Sequence, residues 1–242
     1  MGDVVIGFVM FFVLGTIPVL MVVVLVVVPM ASALGITNTD ALTEIVFASG
    51  PVLVLSLVLS WCGFMGVVYW SSHYKGDGNW RALLKWHFQP RRDIPIAIAF
   101  TLVAFAAEIA IGIVLEALGV DSSDLGNTDV LNWTDGFWLI LLALGIAIGS
   151  PIVEELFFRG LFLSVAVRNW GRIIGVIVVS VCFGLMHIQD SLAASLYTMT
   201  LTALLGMVLA IMVLRTGRIG TSISTHMLFN TSAVALALLA TH

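Results

Sequence analysis

The chain has 242 residues, of which 60% are hydrophobic and only 10% charged, with a formal net charge of −4. A soluble globular domain carries nearer a quarter of its residues charged, and a mean hydropathy of +1.13 likewise excludes that class in favour of a membrane protein. No basic block interleaved with aromatics speaks for nucleic acid. Cys62 and Cys182 lie in separate apolar runs, without the spacing of a disulfide framework or a zinc cluster.

An apolar run of about 20 residues crosses the hydrocarbon core as a helix. In chain order, spans are expected at 4–29, 45–70, 94–117, 137–168, 173–187, 192–214 and 219–241. They predict an all-α, polytopic transmembrane helical bundle of about seven to eight membrane helices, forming a single membrane domain over residues 1–242. Residues 1–136 supply three N-terminal helices and their loops, without a recognised motif; residues 137–241 carry the polar groups that suggest chemistry.

The first span reads as a retained membrane helix. Met1-Gly2-Asp3 lacks the basic start of a signal peptide, and the apolar run after it is too long. Ile6 stands where a myristoylation signal needs Ser or Thr. The fourth span is interrupted by Gly149-Ser150-Pro151, where a proline permits a kink or a break into two helices.

Charge sets the expected orientation. Lys75, Arg81, Lys85, Arg91 and Arg92 fall in one loop, Arg168 and Arg172 in the next but one, and Arg215 and Arg218 in a third. The alternate loops hold Asp40, then Asp121, Asp124, Asp129 and Asp135, then Asp190. By the positive-inside rule the N-terminus is expected in the cytoplasm. Loop 71–93 also holds Trp80, Trp86 and Phe88, a composition that suits an interfacial segment as well as an ordinary basic loop.

Within the apolar fourth span stand Glu154, Glu155 and Arg159. A charged side chain at the centre of a membrane helix costs roughly 2.5–3.5 kcal/mol on insertion scales, so such groups pair, line a wet cavity or do chemistry. Glu155 and Arg159 are four apart in the favourable acid-before-base order and are expected to form a structural ion pair. Glu154 is turned by about 100° from Glu155 and is left for another task. Phe183 and His187 share a second helix face, with Phe183 as packing, and His226 and Asn230 share a third. At 1.5 Å per residue, Glu154, His187, Asn230 and His226 lie roughly 21, 22, 18 and 12 Å from the basic ends of their spans, so one layer can hold them all.

These are the parts for amide hydrolysis. A buried carboxylate can act as general base toward water, and a histidine beside it can hold that water or protonate the leaving amine. An amide NH2 and a second imidazole can donate to a tetrahedral oxyanion. The set Glu154, His187 and His226 could instead bind zinc with an open water position; without zinc, no cofactor is required.

Glu154-Glu155-x-x-x-Arg159, Phe183-x-x-x-His187 and His226-x-x-x-Asn230, in that order within apolar helices, resemble the three motifs of the CPBP family. That family joins type II CAAX prenyl endopeptidases with Abi-type bacteriocin-processing or immunity proteins, and the likeness covers roughly residues 137–235. It implies an intramembrane endopeptidase in which Glu154 activates water with His187, while His226 and Asn230 stabilise the oxyanion. It implies a membrane-associated protein or peptide as substrate and, through the Abi-type branch, a multi-pass protein of a bacterial plasma membrane. Other readings of the same residues are a proton-coupled transporter, since membrane Glu and His also build proton relays, and a non-catalytic immunity or scaffold protein. No His-Glu-x-x-His, rhomboid-type Gly-x-Ser-Gly or Gly-x-Gly-Asp occurs. Glu108 matches none of the three motifs; it is expected to line the cavity, pair with Arg159 or pack near water.

Overall fold

A computed structural model of the chain describes residues 20–21, 23–36, 38, 49–74, 78–117, 119, 129–189 and 191–241. Most of the expected first span lies outside these, as do Asp40, Lys75, Asp121, Asp124 and Asp190. The described residues form helices and no strands: α1 (Val23–Ala33), α2 (Gly50–Tyr74), the single turn α3 (Trp80–Leu83) and α4 (Pro90–Ala117). A 3-10 turn at Asp129–Trp133 then leads into the helical run Gly136–Leu185, followed by α7 (Leu192–Thr216) and α8 (Gly220–Thr241). Five of these runs are long and apolar enough to cross a membrane. The protein is an integral membrane helical bundle.

The run Gly136–Leu185 has 50 residues, and a straight helix of that length would measure about 75 Å. It does not stay straight. Gly171 adopts φ 79° and ψ 172°, a backbone state open essentially to glycine alone, and the chain folds back there. The two arms are α5 (136–170) and α6 (172–185). Gly175 of α6 sits so close to the backbone of Ala166 and Val167 that a Cβ would collide with it. The expected boundary between the fourth and fifth spans thus narrows to one residue. Pro151, by contrast, makes no break: a widened turn, Gly145–Gly149, precedes it and absorbs the missing N–H, so α5 runs on. Leu57 and Trp61 of α2 fill the space beside Gly145 and Gly149.

α6 and α7 pack as an antiparallel pair. Gly184 lies against Met199 and Ala203, and Gly206 against Phe183 and Ser180. In this register His187 falls level with Thr198 and Met199, so the first turns of α7 extend past the end of α6. α6 rises only about 20 Å and stops well short of a full crossing of about 30 Å. Irregular backbone at such depth must be satisfied within the protein, and Ser195 does this: its hydroxyl accepts from Gln189 N and donates to Gln189 O, both at 2.9 Å.

α8 is the central helix, packed on α4, α5 and α7. A buried polar latch fixes the start of α4 to the start of α8. Asp93 Oδ1 accepts from Arg218 Nη2 at 2.5 Å and from Thr221 Oγ1 at 2.6 Å, while Oδ2 accepts from Gln89 N at 2.6 Å. Lys85 O and His87 O accept from the N–H groups of Ile219 and Gly220. The helix ends bearing Lys85, Arg91, Arg92, Arg168, Arg172, Arg215 and Arg218 therefore gather at one end of the bundle. The main core joins Phe64 and Val67 of α2, Phe157, Phe158 and Leu163 of α5, and Phe183 of α6. Outward faces such as Leu102, Ile109, Ile173 and Leu239 are exposed, as lipid contact requires.

Replacing Gly171 by alanine forces a Cβ into the strained state and is expected to cost about 1–3 kcal/mol. The readout is the thermal unfolding midpoint of the purified protein in detergent, which falls if the chain reverses at this residue and stays put if it does not.

Candidate active site

α5 carries the three charged groups near its centre: Glu154 and Glu155 lie between the widened turns Gly145–Gly149 and Leu156–Phe162, and Arg159 lies within the second. Glu155 and Arg159 are both 0% exposed, and Arg159 Nη1 lies 2.9 Å from Glu155 Oε1. Arg159 Nη2 donates to Gly206 O at 3.3 Å. The guanidinium also lies over the Phe183 ring, 4.1 Å from its centroid, a favourable cation–π position. Gly206 permits this approach, since a Cβ there would stand 3.2 Å from Arg159 Nη2 and 3.0 Å from Phe183.

His226 of α8 stands between the two glutamates. Its Nδ1 is 3.0 Å from Glu155 Oε1 and its Nε2 is 3.8 Å from Glu154 Oε2. The two carboxylates leave α5 in different directions, yet they flank opposite edges of one imidazole. Glu155 is consumed by Arg159 and His226 together. Glu154 is 20% exposed, and its contact with His226 is the longer one, at 3.8 Å.

His187 is fixed by its own helix. Its Nδ1 lies 2.9 Å from Phe183 O, and the two rings meet edge to face at 5.1 Å. A carbonyl can only accept, so Nδ1 carries the proton, and Nε2 is left without one in the neutral ring. At His226 a carboxylate faces each ring nitrogen, Glu155 at Nδ1 and, at the longer distance, Glu154 at Nε2. Phe183 also touches His226 edge-on at 5.6 Å. One buried ring therefore spaces Arg159, His187 and His226. Asn230, one turn after His226, donates from Nδ2 to Ile146 O at 3.0 Å, in the widened turn that precedes Pro151.

Glu154, His187, His226 and Asn230 line a common cavity of about 460 Å³. Glu155, Arg159 and Phe183 stand behind this wall and are not part of the lining. Glu108 of α4 does line it and makes no ion pair with Arg159. Ser150, Tyr197, Thr198 and Thr202 are also in the lining, and sequence reasoning did not single them out. The available signal was polar residues on neighbouring turns of α7, a helix otherwise apolar on that side. Ser150 also accepts from Trp61 Nε1 at 3.3 Å, which ties α2 to the rim.

For a metal, the donor chemistry is suitable in type. Both imidazoles keep Nδ1 on an oxygen acceptor and point Nε2 elsewhere, as metal-binding histidines do. Among the described residues, however, no group of three or more His, Cys, Asp or Glu side chains is gathered at metal-holding distance.

The environments of the two glutamates differ enough to measure. Glu155→Gln strands a buried guanidinium and is expected to cost about 3 kcal/mol or more, whereas Glu154→Gln should change stability by less than about 1 kcal/mol. Thermal unfolding of both variants checks this, and equal losses would contradict the arrangement.

No curated protein and no solved structure matches the chain. Residues 136–232 match the family model described as type II CAAX prenyl endopeptidase Rce1-like, a span that contains α5, α6, α7 and His226, Phe229 and Asn230 of α8. The matched residues carry Glu154, Glu155, Arg159, His187 and His226, the charged and imidazole groups of the buried network, so this part of the chain is similar to that family.

Proposed function

We propose that the protein is an intramembrane endopeptidase that hydrolyses a peptide bond of a membrane-associated protein or peptide, with Glu154 as general base toward water. The observation that carries this reading is the unequal use of the two glutamates. Glu155 is fully buried against Arg159 and His226, while Glu154 faces the cavity beside the free edge of the same imidazole. The family of residues 136–232 is a peptidase family, which supports hydrolysis as the class of reaction.

The chemistry follows from charge balance. Glu155 and Arg159 cancel, and a low-dielectric site resists a net charge. Glu154 and His226 then share one proton. With that proton on His226 Nε2, Glu154 is an anion able to take a proton from water as the water oxygen bonds to the scissile carbon. His226 Nε2–H and the second N–H of Asn230 donate to the oxyanion. Collapse breaks the C–N bond, and the proton held by Glu154 passes to the leaving amine, with His187 Nε2 positioning the water and relaying that proton. His226 thus donates from Nε2 while its Nδ1 faces the carboxylate of Glu155.

Zinc held by Glu154, His187 and His226 is the second reading, favoured by the Nδ1–acceptor pairing of both histidines. Bound there, zinc would supply Lewis-acid polarisation of the carbonyl. In the metal-free reading no cofactor takes part. The basic end of the bundle is taken to face the cytoplasm, with the N-terminus on that side and a bacterial plasma membrane as the setting.

Three measurements test these points. Membrane proteomes of cells bearing wild-type or Glu154→Gln protein should differ by new termini that arise with the wild type alone; identical termini would remove the protease reading. Purified protein should keep cleaving such a substrate after exhaustive chelation, and activity that vanishes with chelator and returns with zinc would recast Glu154 as a ligand. A reporter joined after Arg172 should be cytoplasmic; outside accessibility there would invert the orientation.

A further inference from the structure

Glu108 is the one carboxylate of the cavity lining that no motif accounts for. It sits on α4, the most lipid-exposed of the long helices, at the depth of the cavity. Its carboxyl makes no hydrogen bond and no ion pair among the described residues, although Tyr197 on α7 lies within its field. A mid-membrane carboxylate without a cation is costly. Arg159 cannot serve it, because that guanidinium is fully buried on Glu155, Gly206 and Phe183.

The position of Glu108 is also distinctive. A second, apolar groove of about 240 Å³ runs between α4 and α7, lined by residues such as Phe100, Ala104, Leu204 and Val208. Glu108, Leu201, Thr202, Leu205 and Phe229 belong to both the groove and the cavity. The groove therefore opens toward the cavity at Glu108, which is the sole charged residue of the groove lining among the described residues. Among the described residues, the cavity beyond it presents two carboxylates, Glu108 and Glu154, and no lysine or arginine. Such a passage suits an apolar segment that carries one positive charge.

We infer that Glu108 is a specificity-determining residue that selects a lysine or arginine side chain flanking the scissile bond on the groove side of an otherwise apolar substrate segment. The inference rests on the peptidase reading above for its context, and its chemistry is that of a charge pair in a site poor in water. An ammonium or guanidinium entering from the groove meets Glu108 before Glu154. The pair neutralises both partners at a depth where neither is stable alone. An apolar substrate without the cation leaves Glu108 as it is in the free protein, and an acidic one adds like-charge repulsion.

The test measures binding and not cleavage, so its failure is distinct from failure of the hydrolytic reading. Protein bearing Glu154→Gln, which leaves probes uncut, is placed in lipid nanodiscs. It is titrated with apolar leucine–alanine peptides of about 20 residues that carry one central lysine, acetyl-lysine or glutamate. The lysine peptide is expected to bind at least about tenfold more tightly than the acetyl-lysine peptide. Adding Glu108→Gln should erase that difference, Glu108→Asp should retain part of it, and Glu108→Lys should favour the glutamate peptide. Thermal midpoints identify any variant that does not fold, and Glu108→Asp and Glu108→Lys give second readings of the same carboxylate. Equal binding of lysine and acetyl-lysine peptides to the parent overturns the inference, as does a preference that survives Glu108→Gln.

Discussion

Arg159 is a guanidinium with no solvent exposure inside an integral membrane bundle, and much of the surrounding architecture serves to accommodate it. Burial of one charge without a partner is prohibitive, whereas a paired and hydrogen-bonded charge is tolerable. Glu155 supplies the counter-charge, Gly206 a carbonyl and Phe183 a ring face. Each comes from a different turn or helix, so Arg159 joins α5, α6 and α7. Through Glu155 the linkage reaches His226, and so α8.

That linkage gives the candidate site its rigidity. Phe183 cannot move without disturbing Arg159, and Phe183 sets the position of both imidazoles. His187 is held at depth because α6 is short, and the backbone that follows it is satisfied by Ser195. Asn230 is held by Ile146 O, an acceptor within the widened turn before Pro151. Two departures from regular helix, the widened turn Gly145–Gly149 and the irregular backbone after Leu185, thus lie beside the cavity. They bring polar groups to one cavity, and Asn230 and Ser195 satisfy the backbone groups of Ile146 and Gln189 there.

Much of this was legible in the sequence, because spacing of four residues on a helix is a geometric statement. Glu155 with Arg159, Phe183 with His187, and His226 with Asn230 each follow from it, and motif order suggested that the pieces meet. The reversal between the fourth and fifth spans was legible from Arg168 and Arg172, although not its dependence on Gly171. What spacing along single helices cannot give is the relation between helices. It turned Glu154 away from Glu155 correctly, yet could not show that one imidazole of α8 lies between them. Pro151 was read as a place to kink or break, but the widened turn before it lets the helix continue. The Asp93–Arg218–Thr221 latch was not anticipated, since Asp93 stood in a basic loop and Arg218 looked like an ordinary orienting charge.

The most direct test of the account is the fate of the water oxygen. A single turnover of purified enzyme in heavy-oxygen water, followed by mass spectrometry of the cleaved peptide and of the segment bearing Glu154, distinguishes a general base from a nucleophile. A Glu154 that activates water predicts one heavy oxygen in the new carboxyl terminus and none in the glutamate. Heavy oxygen in Glu154, with an unlabelled first product, would mean that the carboxylate itself attacks the carbonyl, and would contradict the account.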